Sequence, residues 1–325
     1  MTHAIRFHRP GGPEVLVWDE VDVGSPAPGQ VRLRQTAVGL NYIDVYHRTG
    51  AYPVAAMPSG IGLEGAGVAE EVGPGVAELK AGDRVAYASP PIGAYAEARL
   101  MPADRLVKLP AGISDRMAAA MMLQGMTAQY LIRRTHRVAA GETILMHAAA
   151  GGVGLILCQW AKHLGATVIG TAGSEEKAAL ARAHGCDHVI LYRRENLAER
   201  VRAITGGAGV PVVYDGVGKD TFAASLDCLA PLGLMVSFGS ASGPVPPFDM
   251  GVLAAKGSLF LTRPTLMTYI AKREDLLGSA RELFDVVTRG AVKIEINQTF
   301  PLREAAAAHR ALEARQTTGS TVLLP

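Results

Sequence analysis

Cysteine is scarce: Cys158, Cys186 and Cys228 are the only three in 325 residues, and no C-x-x-C spacing occurs. An odd, dispersed set builds neither a disulfide framework nor a four-thiolate zinc lobe, and it fits a reducing compartment. Charge is thin as well, with Asp, Glu, Lys and Arg at 19% and a formal net of +2. The lysines and arginines are scattered, so no basic stripe offers itself to nucleic acid or to an anionic membrane. Long apolar runs are missing: the most apolar stretch, Ile144 to Ala161, is interrupted by His147 and a glycine-rich turn, which argues against a spanning helix. The opening MTHAIRFHRPGG lacks the apolar core of a secretory leader. A cytoplasmic protein is therefore expected, and the sequon at Asn297 carries no glycan.

Several catalytic signatures are absent too. There is no G-x-x-x-x-G-K-[ST], G-x-S-x-G, H-E-x-x-H or EF-hand loop. The cluster His184-Gly185-Cys186-Asp187-His188 invites a metal reading. It falls where a helix ends and a strand begins, and alternation turns Asp187 and His188 to opposite faces, so a structural turn is expected. Cys158 lies on an apolar helical run and reads as inert packing.

What is present is glycine, 37 residues of it, and a hydrophobic fraction of 49%. That composition and length predict a compact chain of about two domains. Up to about Leu123, short β-like runs such as QVRLRQTAVGL, GAGVAEEVG and DRVAYA are cut by PGG, SPAPG, GPG and AGD. Ser114 then reads as the cap of an Ala- and Met-rich helical stretch. From Glu142 strands and helices alternate, the signature of βαβ units around a parallel sheet. The tail after KGSLFLTRP holds a long helix, a short strand near KIEI, a second helix and the closing strand TVLLP. The expected organisation is residues 1–123 as the first part of a β-rich domain, 124–263 as an inserted domain of alternating strands and helices, and 264–325 as the return to the first domain.

The sharpest motif is Ala148-Ala149-Ala150-Gly151-Gly152-Val153-Gly154, between a predicted strand and a predicted helix. Small residues there let backbone approach a pyrophosphate, while the helix start supplies N–H donors. It departs from G-x-G-x-x-G by an alanine at the first position. Its setting among βαβ units favours a cofactor cradle over a plain tight turn. An NAD site normally carries Asp or Glu at the end of its second strand, and here that point reads Gly170-Thr171-Ala172-Gly173-Ser174. Lys177 stands in the first turn of the next helix, where a cation opposes the dipole unless an anion is near. A ribose 2′-phosphate would be such an anion; pairing with Glu176 or solvent is the plain alternative.

The segments VGLNYIDVYHRTGAYP, GLEGAGVAEEVG, GDRVAYA, LQGMTAQYL, HAAAGGVGLILCQWAKHLGATVIGTAGSEEKAAL and TTGSTVLLP resemble, in this order, the medium-chain dehydrogenase/reductase superfamily, in its zinc-free quinone oxidoreductase, zeta-crystallin-like branch. The resemblance covers essentially the whole chain. It implies an α/β fold in which a Rossmann domain, a doubly wound parallel sheet, is inserted into a GroES-like β-rich catalytic domain. Zinc-dependent members carry Cys at the place of Asn41 and a His-Glu pair at the place of Leu63-Glu64, and the structural zinc lobe is missing between Tyr87 and Tyr95. No metal is therefore expected, and without a Lewis acid the site suits conjugated acceptors whose charge delocalises after hydride addition.

Carried over residue by residue, the resemblance implies Asn41 and Tyr46 at the nicotinamide and substrate, as the catalytic pair, and Thr127 against the cofactor. It implies Ala150, Gly151, Gly152, Val153 and Gly154 at the pyrophosphate, Gly173 and Lys177 at the adenosine ribose and its phosphate, and Tyr192 on the adenine side. Ser237, Phe238, Gly239 and Ser240, with Phe260, Leu261, Thr262 and Arg263, would cover the nicotinamide, and Arg315 is a further candidate. Tyr46 and Phe238 could equally be core aromatics, and Asn41 a turn residue. The leading function is NADPH-dependent quinone reduction. An NADPH-dependent enone or alkenal double-bond reductase shares the same features, and a dinucleotide-binding structural or RNA-contacting crystallin-like protein is a third reading. The run Gly257 to Thr262 reads as an edge strand able to pair with its copy in a homodimer.

Overall fold

A computed structural model describes residues 2–325. The chain divides into two compact units. One runs to Met126 and resumes as Ile270–Thr288 and Ile294–Pro325, and the other holds Thr127–Tyr269 and Arg289–Lys293. The second unit thus begins three residues beyond the expected 124 and runs to Tyr269, six beyond 263. The extension takes in Leu266–Tyr269, a short helix whose Tyr269 ring stacks 4.3 Å from Tyr130.

In the second unit six parallel strands lie in the order His188–Leu191, Thr167–Ala172, Thr143–Met146, Val210–Asp215, Leu229–Ser237, Phe260–Thr262. Numbered along the chain this order is 3-2-1-4-5-6, the doubly wound arrangement whose direction reverses between the first and fourth strands. The first strand, buried at Ile144, Leu145 and Met146, is a continuous apolar run, as a strand covered on both faces must be. Helices Gly152–His163, Glu175–Ala183, Leu197–Ile204 and Phe222–Cys228 connect the strands. Ser174 and Asn196 cap two of them, accepting from the N–H of Lys177 and Glu199. Leu145, Ile169, Ile190, Val213, Phe222 and Met235 fill the core.

The first unit is β-rich. Gln30–Leu40 lies at the centre of a seven-stranded sheet, pairing antiparallel with Glu64–Val72, Ala98–Pro102 and the closing strand Ser320–Leu324. Thr2–Phe7 and Leu16–Val21 form a hairpin in a separate three-stranded sheet. Phe7, Leu33, Ile61, Val85, Tyr87, Tyr95 and Leu323 are fully or almost fully buried in one core. Ser114 caps Asp115–Ala119, accepting from Met117 N–H.

Two local expectations change. The strand sought near KIEI starts only at Ile296 and runs to Pro301, because Ser320–Leu324 offers its register from Ile296 onward. The helix Tyr42–Thr49 was not among the expected elements: it has end signals, a capping box of Asn41 and Asp44 and a left-handed Gly50, but its buried face includes the polar residues Asp44, His47 and Arg48, which hide the apolar periodicity.

Candidate functional site

The glycine-rich turn follows the first strand of the parallel sheet. Gly151 is the cap residue of Gly152–His163 and, having no side chain, leaves the first-turn N–H groups without a capping acceptor. Those donors and the positive helix end suit an anion. Space is as restricted as the motif requires: a Cβ on Gly154 would lie 2.4 Å from the Ala148 carbonyl oxygen and 2.7 Å from that of Ala149. Ala148 itself stands at φ 51°, a left-handed conformation for which glycine is the usual choice. The first motif position is therefore a glycine geometry occupied by alanine.

The second strand, Thr167–Ala172, ends without a carboxylate. Gly173 and Tyr192 meet there, since a Cβ on Gly173 would fall 2.8 Å from the Tyr192 hydroxyl. Tyr192 is 42% exposed, so its ring is offered to solvent rather than used in the core. Lys177 occupies the third position of its helix, half-buried, with its N–H on the Ser174 hydroxyl. Glu175 pairs with Arg194 at 3.5 Å, in the open. The surroundings of Gly173 thus combine a cation and an aromatic ring at a helix start capped by Ser174, which suits a phosphorylated ribose.

Farther along the same sheet, Phe238 and Gly239 donate backbone N–H groups to the Asp215 carbonyl, and the Phe238 ring lies over Gly216. Phe238 is half-buried, so it is not an ordinary core aromatic. Arg263 donates to the Ser237 carbonyl at 2.8 Å and reaches the Ser240 hydroxyl at 3.4 Å, tying the edge strand to the Ser237–Ser240 segment. Phe260 is 61% exposed on that edge strand. Thr127 is buried at the start of this unit.

The first unit gathers Asn41 and Tyr46 at the start and middle of Tyr42–Thr49. Asn41 is buried, and its Nδ2 donates to Glu64 Oε2 at 2.6 Å while its Oδ1 accepts from Gln124 Nε2 at 3.1 Å. Gln124 in turn accepts from Ser320 Oγ at 2.7 Å. Leu123 N–H donates to the other oxygen of Glu64 at 2.8 Å. Burial outweighs these donors and pushes the Glu64 carboxyl up to about 8, so it holds its proton at neutral pH. Asp44, wholly buried, is pushed up to about 7 for the same reason, although Asn41 N–H and the Tyr95 hydroxyl both donate to its Oδ2. Its Oδ1 has no partner among the described residues.

Arg48 fixes the far end of the same helix. It makes a bidentate pair with Glu313 at 2.9 and 2.8 Å and donates to His309 Nδ1 at 3.0 Å. His309 Nδ1 therefore carries no proton, and its Nε2–H faces the Tyr95 oxygen at 3.2 Å. Burial and the Arg48 charge depress His309 to about 3.

Tyr46 stands in a cluster of rings, 5.4 Å from Tyr42 and 5.0 Å from Tyr52. Tyr46 is half-buried and Tyr52 37% exposed, so the cluster presents aromatic surface rather than filling the core. Arg315 lies close enough to Tyr42 to lower its pKa, against the larger upward push of burial. Sequence reasoning passed over Tyr42 and Tyr52, although the i, i+4 spacing of Tyr42 and Tyr46 was a usable signal. It also passed over Asp44 and Gln124, whose importance lies in partners distant along the chain. Among the described residues no group of three or more His, Cys, Asp or Glu side chains is arranged to hold a metal. Asp187 of the His184–His188 cluster instead pairs with Lys162 and accepts from Val168 N–H.

Two family descriptions match the chain: an alcohol dehydrogenase GroES-like domain over residues 27–111 and a zinc-binding dehydrogenase over 152–277. The sequence is 56% identical to a quinone oxidoreductase of Pseudomonas aeruginosa, the match covering 100% of both chains. It is 52% identical to a 2-haloacrylate reductase of a Burkholderia species, over 100% of this chain and 99% of that one. The fold superimposes with a TM-score of 0.98 on the structure of the Escherichia coli quinone oxidoreductase complexed with NADPH, at 49% identity, covering 99% of this chain and 100% of that one.

Proposed function

The chain belongs to the medium-chain dehydrogenase/reductase superfamily, in its zinc-free quinone oxidoreductase branch, and from that membership we infer an NADPH-dependent reductase that passes reducing equivalents to a quinone. In the molecule itself one observation carries the choice of cofactor. The second strand of the parallel sheet ends at Gly173 and Ser174 with no carboxylate to repel a 2′-phosphate, and Lys177 follows in the next helical turn. When bound, NADPH supplies a hydride from nicotinamide C4.

The residues divide the work by unit. In the second unit the N–H groups of Ala150 to Gly154 hold the pyrophosphate. Gly173, Lys177 and Tyr192 hold the adenosine end. Thr127, Ser237, Phe238, Gly239, Ser240 and the run Phe260, Leu261, Thr262, Arg263 orient the nicotinamide. In the first unit Tyr46, with Tyr42 and Tyr52 beside it, stacks a planar acceptor, and Asn41 is fixed by Glu64 and Gln124. Arg315 acts near Tyr42. No side chain here is a strong electrophile, so rate comes from positioning, and acceptors that delocalise charge are favoured.

NADPH oxidation against benzoquinone, naphthoquinone, phenanthrenequinone, alkenals and a 2-haloacrylate tests this reading. Quinones are expected to be turned over with NADPH far better than with NADH. Turnover confined to the alkenals or the haloacrylate would favour the second reading, a double-bond reductase, which the Burkholderia relative supports. Activity is expected to survive a strong chelator, with no stoichiometric zinc by elemental analysis. We place the protein in the cytoplasm, on its three dispersed cysteines. No helix among the described residues is long and apolar enough to cross a membrane. We also assign the exposed Phe260–Thr262 edge to a homodimer contact.

A further inference from the structure

His147 is a buried imidazole that the reduction chemistry does not use. It directly precedes the glycine-rich turn, is 1% exposed and lies among hydroxyls: Nδ1 is 3.1 Å from Thr171 Oγ1 and Nε2 is 2.9 Å from Ser225 Oγ. The neighbours decide the tautomer. Thr171 Oγ1 accepts from Ala148 N–H at 3.2 Å, and its own proton has one partner, His147 Nδ1. Ser225 Oγ donates onward to the Thr221 carbonyl at 2.8 Å or to Asp215 Oδ2 at 3.3 Å, so it must accept from His147 Nε2–H. The opposite tautomer would leave the Thr171 hydroxyl proton unused and take Ser225 away from both acceptors. Burial holds the ring neutral by lowering its pKa, against a smaller opposite pull from Asp215.

The far end of this chain is Asp215, fully buried, whose Oδ1 accepts from Val217 and Gly218 N–H and whose Oδ2 accepts from Thr221. The Asp215 carbonyl accepts from Phe238 and Gly239. The run Ala148 N–H, Thr171, His147, Ser225 thus crosses the point where strand order reverses, and it meets the Asp215 turn at the end of the fourth strand through Thr221, whose carbonyl Ser225 holds at 2.8 Å and whose hydroxyl donates to Asp215 Oδ2 at 2.7 Å. One end fixes Ala148 at its positive φ, and the other fixes the turn that carries Ser237–Ser240.

We propose that His147 is a positioning residue: its neutral, Nε2-protonated ring locks the pyrophosphate turn and the Asp215 turn to each other, so that the surfaces for the pyrophosphate and the nicotinamide, the parts common to NADPH and NADH, are presented as one preformed whole. The proposal rests on reading Gly151–Gly154 as the pyrophosphate cradle. It differs from the role of Lys177 in being blind to the 2′-phosphate.

The test uses the full chain, with Thr171→Val, which keeps shape and removes the hydroxyl, Thr171→Ser, which restores it, and His147→Asn. Dissociation constants for NADPH and NADH are read by titration calorimetry, and nitrogen NMR of the wild type reads the His147 ring. Thr171→Val and His147→Asn are expected to weaken both nucleotides by roughly tenfold, leaving their ratio unchanged, with Thr171→Ser near wild type. The wild-type ring should show a bare Nδ1 and a protonated Nε2. Should His147→Asn fail to fold, the Thr171 pair decides alone. The proposal is overturned if the ring is protonated at Nδ1, if Thr171→Val binds both nucleotides as the wild type does, if it loses NADPH alone, or if Thr171→Ser is no better. A wild type that bound neither nucleotide would instead refute the cradle.

Discussion

The proposed choice of NADPH over NADH turns on one residue, Lys177. A hydrogen bond to a charged group is worth about 1.5 to 3 kcal/mol, which is roughly ten- to a hundredfold in affinity. Lys177→Ala is therefore expected to weaken NADPH by that factor and leave NADH nearly unchanged, measured as dissociation constants. The loss should shrink as salt rises, because Lys177 is only half-buried. Equal weakening of both nucleotides would make Lys177 a structural residue. Asn41 shows the reverse case. Its type suggested a turn, and it does cap a helix, but its side chain is committed to Glu64 and Gln124. Those partners lie 23 and 83 positions away, so no local pattern could name them.

At the scale of elements, the strand-turn-helix at Thr143–His163 was legible because its signal is local: an apolar run, small residues, then an apolar helical run. Gly154→Ala tests it. The added Cβ meets backbone carbonyl oxygens, which cannot move aside cheaply, so the turn must open. A stability loss of about 1 to 3 kcal/mol is expected in denaturant titration, with NADPH and NADH both weakened. The helix Tyr42–Thr49 offered only its end signals, the cap at Asn41 and the stop at Gly50, because much of what holds it is an ion pair and hydrogen bonds from distant chain. Arg48, 1% exposed, reaches Glu313 and His309. Arg48→Met would strand the buried, neutral imidazole and free the half-exposed Glu313 carboxylate, and a loss of about 1 to 3 kcal/mol is expected.

For the whole molecule, the buried carboxyls set how stability responds to pH. Both Asp44 and Glu64 are raised by burial, to about 7 and about 8, so the stability they contribute is complete below the ordinary carboxylate range and is lost as pH rises through those values. His309 acts oppositely, contributing fully above its ordinary value of 6.5 and losing its share as pH falls toward about 3. Between pH 6.5 and 8 the carboxyls dominate, so Tm should fall as pH rises, and Glu64→Gln should fall less steeply by calorimetry. A rising Tm over that interval would contradict the assignment. Assembly also belongs at this scale. Phe260, 61% exposed on the edge strand, is the position to break: Phe260→Glu should shift light scattering from dimer to monomer. A wild type that is already a monomer at micromolar concentration would refute the contact.

The sequence by itself determined the alternation of strands and helices after Glu142, the glycine turn, the missing carboxylate after Ala172 and the want of a thiolate set for zinc. Each of these is a matter of residue type and near spacing, which neighbouring backbone geometry enforces wherever the chain folds. Only the tertiary structure decided that the Glu64 and Asp44 carboxyls are pushed up, that three tyrosines meet on one face, and that His147 stands between Thr171 and Ser225. Proton affinity depends on desolvation and on donors brought from distant chain, and these exist only once the sheets have packed.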